Sequence, residues 1–311
     1  MRSARPQDTP GGKQSLRRSS LVTPCDLNIM TKAARTEADV IRLELEDGVA
    51  PDRKAEARAI CARGLREIDW GHREAWVRIC HFSFGFAEAD VDALVAGRAD
   101  LIMMGKVQGP EDILRLDALV TEAEARHGVP PGSVRIGCVI ERIRAVSSVE
   151  DIAACSPRMS VLQLGLDDLS LEYGYRLTRR PADAPETLYT RSRVVLASRM
   201  AGISCLDYSY VNFHDVEGSE KDARFSAQLG FDGKSTISPR QIATINRAFL
   251  PTEREIEWAT RIVDHVTQLA DPDQVVYVID GAMVDAPHVQ QARNILKRAA
   301  VAEAATTGAQ G

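Results

Sequence analysis

Charged side chains close several apolar runs of this chain, and a charge at the end of a buried run is where chemistry concentrates. Glu44-Leu45-Glu46-Asp47 ends one run, Arg78 stands between Val77 and Ile79 in a second, and Glu141 closes Ile136-Gly137-Cys138-Val139-Ile140. A further run, Leu162-Gln163-Leu164-Gly165-Leu166, passes directly into Asp167-Asp168. Spacing leaves two readings of Glu141 and Asp168 open. As carboxylates at neighbouring strand ends they suit Mg²⁺, which takes oxygen ligands octahedrally and keeps positions for water and substrate. As structural groups, Glu141 would pair with Arg78 or Lys106 and the Asp pair would cap the next helix. Arg78, flanked by buried apolar neighbours, can grip a carboxylate with its planar donor fork.

The elements that must position these residues follow from periodicity. From residue 17 onward, apolar runs of strand length alternate with amphipathic helical segments, the pattern of a parallel sheet. The strands are expected at Arg18–Thr23, Val40–Glu46, Ala75–Cys80, Leu101–Lys106, Val134–Glu141, Met159–Leu166, Ile203–Val211 and Gly233–Ile237. Helices are expected at Pro51–Ile68 and Glu111–His127, the latter closed by Gly128. Eight such units in one run point to an α/β fold, a (β/α)8 TIM barrel. An open doubly wound sheet is the alternative, weakened by the absence of a GxGxxG after the first strand. The expected organisation is a tail over 1–16, a barrel over 17–250, a C-terminal helical extension over 251–303 and a second tail over 304–311. The extension reads as a helix over Thr252–Ala270, a strand-turn-strand over Gln274–Val284 with Asp280-Gly281 at its turn, and a helix from Pro287.

Composition bounds the function. The 311 residues carry 39 Lys and Arg against 44 Asp and Glu, a formal charge of −5, so nothing favours a nucleic-acid or membrane-surface partner. No apolar stretch is long enough to span a bilayer and no secretory signal is evident, so a cytoplasmic location is expected. Six cysteines without a CxxC pair read as reduced thiols.

Several motifs in order resemble the citrate lyase β-subunit-like enzymes of the HpcH/HpaI aldolase superfamily. They are the segment from Arg18 to Pro24, Leu43 to Lys54 with Ala57-Arg58, Val77-Arg78-Ile79, Val139-Ile140-Glu141 and Leu164-Gly165-Leu166-Asp167-Asp168. Gly230-Phe231-Asp232-Gly233-Lys234, Pro239 to Ile242, Asn246 with Phe249, and Asp280 to Asp285 continue the series. The resemblance spans about residues 17–300. It implies a Mg²⁺-dependent barrel, with Mn²⁺ as a substitute, that makes or breaks a carbon–carbon bond in a hydroxy acid or its CoA thioester, as malyl-CoA and citramalyl-CoA lyases do. By position, the metal ligands fall on Glu141 and Asp168. The catalytic residues fall on Arg78, Glu46 and Asp47, and on Asp285 of the extension, with Asp280 as second choice. Substrate contacts fall on Arg78, Gly165, Leu166 and Asp167. It also implies a homo-oligomer, trimer or hexamer, whose extension reaches a neighbouring subunit's site. A malyl-CoA-type thioesterase and a subunit dependent on an acyl-carrier partner are the alternatives.

The chain departs from the family pattern at Cys80, where Asn is usual, at Gly105, where Pro precedes the lysine, and at Ser238, where His is usual. Glu44 replaces an Asp. These changes single out the loop Cys80–Phe86 as altered. Lys106 could form a Schiff base, though an ion pair with Glu46 or Glu141 is the simpler role. Cys80 and His81 are adjacent on a strand end and so point apart. His214 could be a further substrate contact, and Arg179-Arg180 could hold a CoA phosphate, though a solvated loop is the simpler reading of that pair; helix capping by Asp285 would not exclude catalysis.

Overall fold

The computed structural model describes residues 16–175, 184–268 and 276–308. Its strands are β1 (Ser19–Pro24), β2 (Val40–Glu44), β3 (Glu74–Ile79), β4 (Leu101–Met104), β5 (Arg135–Ile140), β6 (Met159–Leu164), β7 (Ser204–Asp207) and β8 (Gly233–Thr236). All pair in parallel with their neighbours, and β8 pairs back onto β1 to close the barrel. Closure settles the choice against an open sheet. The helices in chain order are α1 (Leu27–Ala33), α2 (Lys54–Glu67), α3 (Ala87–Ala96), α4 (Pro110–His127), α5 (Ile143–Ser147), α6 (Val149–Ala154), α7 (Leu166–Tyr173), α8 (Leu188–Ala201), α9 (Val216–Leu229) and α10 (Ile242–Ala248). No helix among the described residues is long and apolar enough to cross a membrane.

Local chemistry sets these boundaries. The α4 helix begins at Pro110 with Glu111 and Asp112 in its first turn, carries Arg126 and His127 in its last, and stops at Gly128 with φ 61°. Asp26 starts α1 by accepting from the amides of Asn28 and Ile29. Pro51–Arg53 forms a separate 3₁₀ turn, so the expected helix from Pro51 starts at Lys54.

Several strands end earlier than expected, each for a physical reason. Beyond Glu44, the Glu46 amide bonds the Glu44 side chain at 2.6 Å. After Met104, Lys106 adopts φ 53°, which no strand residue can hold. Leu166 is already the first residue of α7. After Asp207, the Tyr208 amide turns back to the Asp207 carboxylate at 2.9 Å.

The barrel interior is built in layers. Val40, Trp76, Leu101, Met103, Val139, Val161 and Leu206, from six strands, pack into one buried cluster that fills the lumen. Below it, Arg17 forks onto Glu74 at 2.9 Å, reaches Ser160 and stacks over Trp76. On the outer side of β7 and β8, Asp207 and Lys234 join Arg191 of α8 and Asp222 of α9 in a cluster with no exposed side chain. Lys234 contacts Asp222 at 2.6 Å, and Ser226 donates to Asp207 at 2.7 Å. The Gly230–Lys234 motif is therefore largely structural. Gly230 ends α9 at φ 98°, and a side chain at Gly233 would meet the Arg17 carbonyl oxygen at 1.8 Å.

The chain divides into two compact units, Met1–Asn246 and Arg247–Gly311. The second holds α11 (Glu253–Gln268), an antiparallel hairpin of β9 (Val276–Ile279) and β10 (Ala282–Asp285), and α12 (Ala286–Gly308). Thr252 and Glu255 form a capping box, which puts Thr252 before the helix rather than in it. Asp280 and Gly281, at φ 52° and 77°, make the hairpin turn. Ala259, Ile262, Val284, Val289 and Ala292 form this unit's own core. The last helix runs on to Gly308 through an Ala-rich stretch of high helix propensity, past the expected limit at 303. Gln274 and residues 1–15 lie outside the described residues.

The buried cluster around Asp207 makes the first test. Asp207→Ala leaves two buried cations, Arg191 and Lys234, to share the single carboxylate of Asp222 and is expected to cost about 3–5 kcal/mol in urea unfolding, whereas a loss under about 1 kcal/mol would contradict the account.

Candidate active site

Side chains alternate along a strand, so each residue two positions beyond a lumen plug residue faces the barrel mouth. Two beyond Val40 stands Arg42, then Glu44; two beyond Trp76, Arg78; two beyond Met103, Gly105; two beyond Val139, Glu141; two beyond Val161, Gln163, then Gly165. The β-ladder continues past the strand ends to hold them, with Leu45 N bonded to Arg78 O, Gly105 N to Ile79 O and Gly165 N to Ile140 O. One geometric rule thus brings Glu44, Arg78, Glu141 and Gly165 to the same mouth.

Arg78 is the hub. Its Nε donates to Glu44 Oε2 at 2.8 Å, and its Nη1 lies 2.8 Å from Glu46 Oε2, a charge contact rather than an aligned hydrogen bond. Burial opposes its charge, but Glu44, Glu46 and Glu141 outweigh burial and raise its pKa. Lys106 grips Asp47 at 2.5 and 2.6 Å and approaches Glu46 at 3.2 Å. Here too the carboxylates overcome burial and hold the ammonium charged, which disfavours the Schiff-base role. The left-handed backbone of Lys106 turns its amide onto Glu141 Oε1 at 2.7 Å.

Glu141 therefore pairs with neither Arg78 nor the Lys106 side chain, as the structural reading expected, but with a backbone amide. It is 3% exposed. Burial, then Glu46, push its pKa up to about 8, with Asp168 adding to the rise. Asp167 and Asp168 lie in the first turn of α7, whose cap position is Gly165, so neither is the cap. Asp168 has Arg142 at 3.8 Å, itself 3.1 Å from Glu172. Leu166 is buried and Asp167 exposed.

Three glycines shape the floor. A Cβ at Gly165 would lie 2.6 Å from Glu141 Oε2, one at Gly105 2.2 Å from Glu46 Oε1, and one at Gly48 2.8 Å from Glu44 Cγ. The departure at Gly105 thus opens the space that Glu46 occupies, and Gly48 admits the longer Glu44.

The residues fit a divalent cation. Glu141 and Asp168 supply two oxygen-bearing groups, and the cradle at Gly165 leaves Glu141 Oε2 uncovered by a side chain. No cluster of three or more His, Cys, Asp or Glu placed to hold a metal occurs among the described residues. A two-carboxylate set leaves the remaining positions to water and substrate, which suits Mg²⁺ and not Zn²⁺.

Other candidates resolve differently. Cys80 and His81 have separate partners, Lys54 Nζ at 3.2 Å for Cys80 and Ser83 with Asp112 for His81. Asp285 and Asp280 belong to the second unit, where they pair with His288 and Arg261. His214 is exposed beside Phe213. Arg179 and Arg180 lie outside the described residues. Two groups escape sequence reasoning. Lys54, buried, donates to the carbonyls of Leu45 and Glu46 and so fixes the acidic loop; it was visible only as the last residue of a motif. Arg42 had no signal beyond being a charge inside an apolar run.

The sequence profile described as HpcH/HpaI aldolase/citrate lyase matches residues 22–239. The chain is 34% identical over 287 residues to the citrate lyase subunit beta of Leuconostoc mesenteroides subsp. cremoris, covering 92% of this chain and 94% of that one. It is 34% identical over 290 residues to the L-malyl-CoA/beta-methylmalyl-CoA lyase of Cereibacter sphaeroides, with 87% and 90% covered. Among solved structures it is similar to protein CitE of Mycobacterium tuberculosis in complex with magnesium, acetoacetate and coenzyme A. The TM-score is 0.75 at 27% identity, covering 93% of this chain and all of that one.

If Glu46 fills the space over residue 105, Gly105→Ala overpacks the site and is expected to destabilise the protein by about 1–3 kcal/mol in urea unfolding; a change under about 0.5 kcal/mol would show that the carboxylate sits elsewhere.

Proposed function

Because the chain belongs to the HpcH/HpaI aldolase/citrate lyase family and is a carbon–carbon lyase, we propose that it acts on the CoA thioester of a hydroxy acid, or on the free acid. Cleavage releases a 2-oxoacid such as glyoxylate or pyruvate together with the acyl-CoA or acid fragment; condensation is the reverse. The observation that carries this reading is the pairing of Glu141 and Asp168 at the mouth, one buried and held by the Lys106 amide, the other in the first turn of α7. The names of the relatives, two of them lyases and one a structure with magnesium and coenzyme A, support it.

Mg²⁺ held by Glu141 and Asp168 would supply Lewis acidity at the oxoacid's carboxylate and carbonyl oxygens. The chain's own residues do the rest. Arg78, oriented by Glu44 and Glu46, presents a charge that receives a substrate carboxylate or the developing enolate oxygen. Lys106 and Lys54 hold the acidic loop carrying Glu46 and Asp47 in place. The Gly165 turn lets substrate approach the backbone beside Leu166 and Asp167. A proton must be delivered or removed at the cleaved carbon, and Asp285 is assigned that role, from a neighbouring subunit of a homo-oligomer.

Activity is tested by measuring release of glyoxylate or pyruvate from malyl-, citramalyl- and β-methylmalyl-CoA and from the free acids, with Mg²⁺ and then with excess EDTA. Release abolished by EDTA is expected; cleavage indifferent to EDTA would remove the metal from the account, and thioester hydrolysis without oxoacid would favour a thioesterase. Glu141→Ala and Asp168→Ala should each abolish turnover in folded protein. Arg78→Lys should lose about 100-fold or more in kcat, since an ammonium cannot reproduce the fork. Mixing Arg78→Ala with Asp285→Ala protomers should restore part of the activity neither has alone; no recovery would place both residues in one chain's site.

A further inference from the structure

Arg42 lies at the floor of the mouth and no step above uses it. It faces inward on β2, two residues before Glu44 and two after the lumen plug residue Val40, and is 4% exposed. Its Nε and Nη1 meet no hydrogen-bond partner. A guanidinium is rarely buried without forks onto a carboxylate or carbonyl, because its desolvation is costly. The charges that face it are Arg78, Glu44, Glu141 and Glu46. It therefore interacts with the site through its charge and not through a fixed hydrogen bond.

The balance of charge explains what that does. Arg42 places a second guanidinium, besides Arg78, among Glu44, Glu46 and Glu141. A positive charge there repels a cation brought to Glu141 and Asp168, so without Arg42 the cation would be held more tightly and the site left more negative toward an anionic substrate.

We propose that Arg42 is a positioning residue that weakens the hold of the carboxylate cluster on its divalent cation, so that the loaded site is less negative when the anionic substrate arrives. This rests on the metal reading given above. The direction of the effect separates it from a structural role: a residue that only shapes the site would, when removed, weaken metal binding, whereas removal of a repelling charge strengthens it.

The test is calorimetric titration of Mg²⁺ into the folded wild-type protein and into Arg42→Met, Arg42→Gln and Arg42→Lys, with no substrate present. Both neutral variants should bind Mg²⁺ about tenfold more tightly than wild type, while the charge-conserving Arg42→Lys stays within about twofold of it. If Arg42→Met does not fold, Arg42→Gln keeps a polar group at the position and decides the matter. Unchanged or weaker Mg²⁺ binding by the neutral variants, with binding intact in wild type, would overturn the role of Arg42 alone. Wild-type protein that binds no Mg²⁺ would overturn the metal reading and this inference with it.

Discussion

Burying a carboxylate requires a positive partner, hydrogen-bond donors or a proton, and at the mouth of this barrel that requirement organises everything else. Three glutamates, Glu44, Glu46 and Glu141, are each less than 5% exposed within one cluster. In water such groups would be solvated freely; here each needs a positive partner or a proton. Arg78 serves Glu44 and Glu46, and Lys106 serves Glu46 with Asp47. Glu141 accepts from the Lys106 amide and feels the charge of Arg78, yet burial and Glu46 still push it toward protonation. That imbalance is the physical basis of the proposal that a divalent cation binds at Glu141 and Asp168.

The fold supplies the precision. A lumen filled by Val40, Trp76, Leu101, Met103, Val139, Val161 and Leu206 fixes the height of β2 to β7. The alternation of the pleat then turns that apolar plug into a charged layer two residues higher. Glycines at 105 and 165 permit carboxylates where a side chain would otherwise stand. The strained backbone of Lys106 carries its amide to Glu141 while its ammonium reaches Asp47, so one residue ties two acidic strand ends together. The buried cluster of Arg191, Asp207, Asp222 and Lys234 fastens β7 and β8 to their helices on the far side of the sheet.

Much of this is legible in the sequence because strand-end charges interrupt apolar runs, and alternation of strand and helix is a strong signal. Glu44, Arg78, Glu141 and Asp168 were visible in that way. The ends of strands were not, because they depend on one backbone angle at Lys106 and on side chains such as Glu44 and Asp207 capturing a following amide. The partner of Glu141 was also hidden, since a left-handed lysine has no sequence signature. Arg42 and Lys54 act through tertiary neighbours from other strands and loops, and their roles emerge only when those strands are closed into a barrel. The Gly230–Lys234 motif shows the converse: Gly230 ends a helix, Gly233 packs against the Arg17 backbone and Lys234 pairs with Asp222, so its constraints are structural.

The most direct test of the central claim is to locate the cation. Crystals soaked in Mn²⁺, measured near the manganese absorption edge, should give an anomalous peak within about 2.2 Å of carboxylate oxygens of both Glu141 and Asp168. A peak at another cluster, or none at this mouth while the protein cleaves its substrate, would contradict the assignment of the metal to this pair.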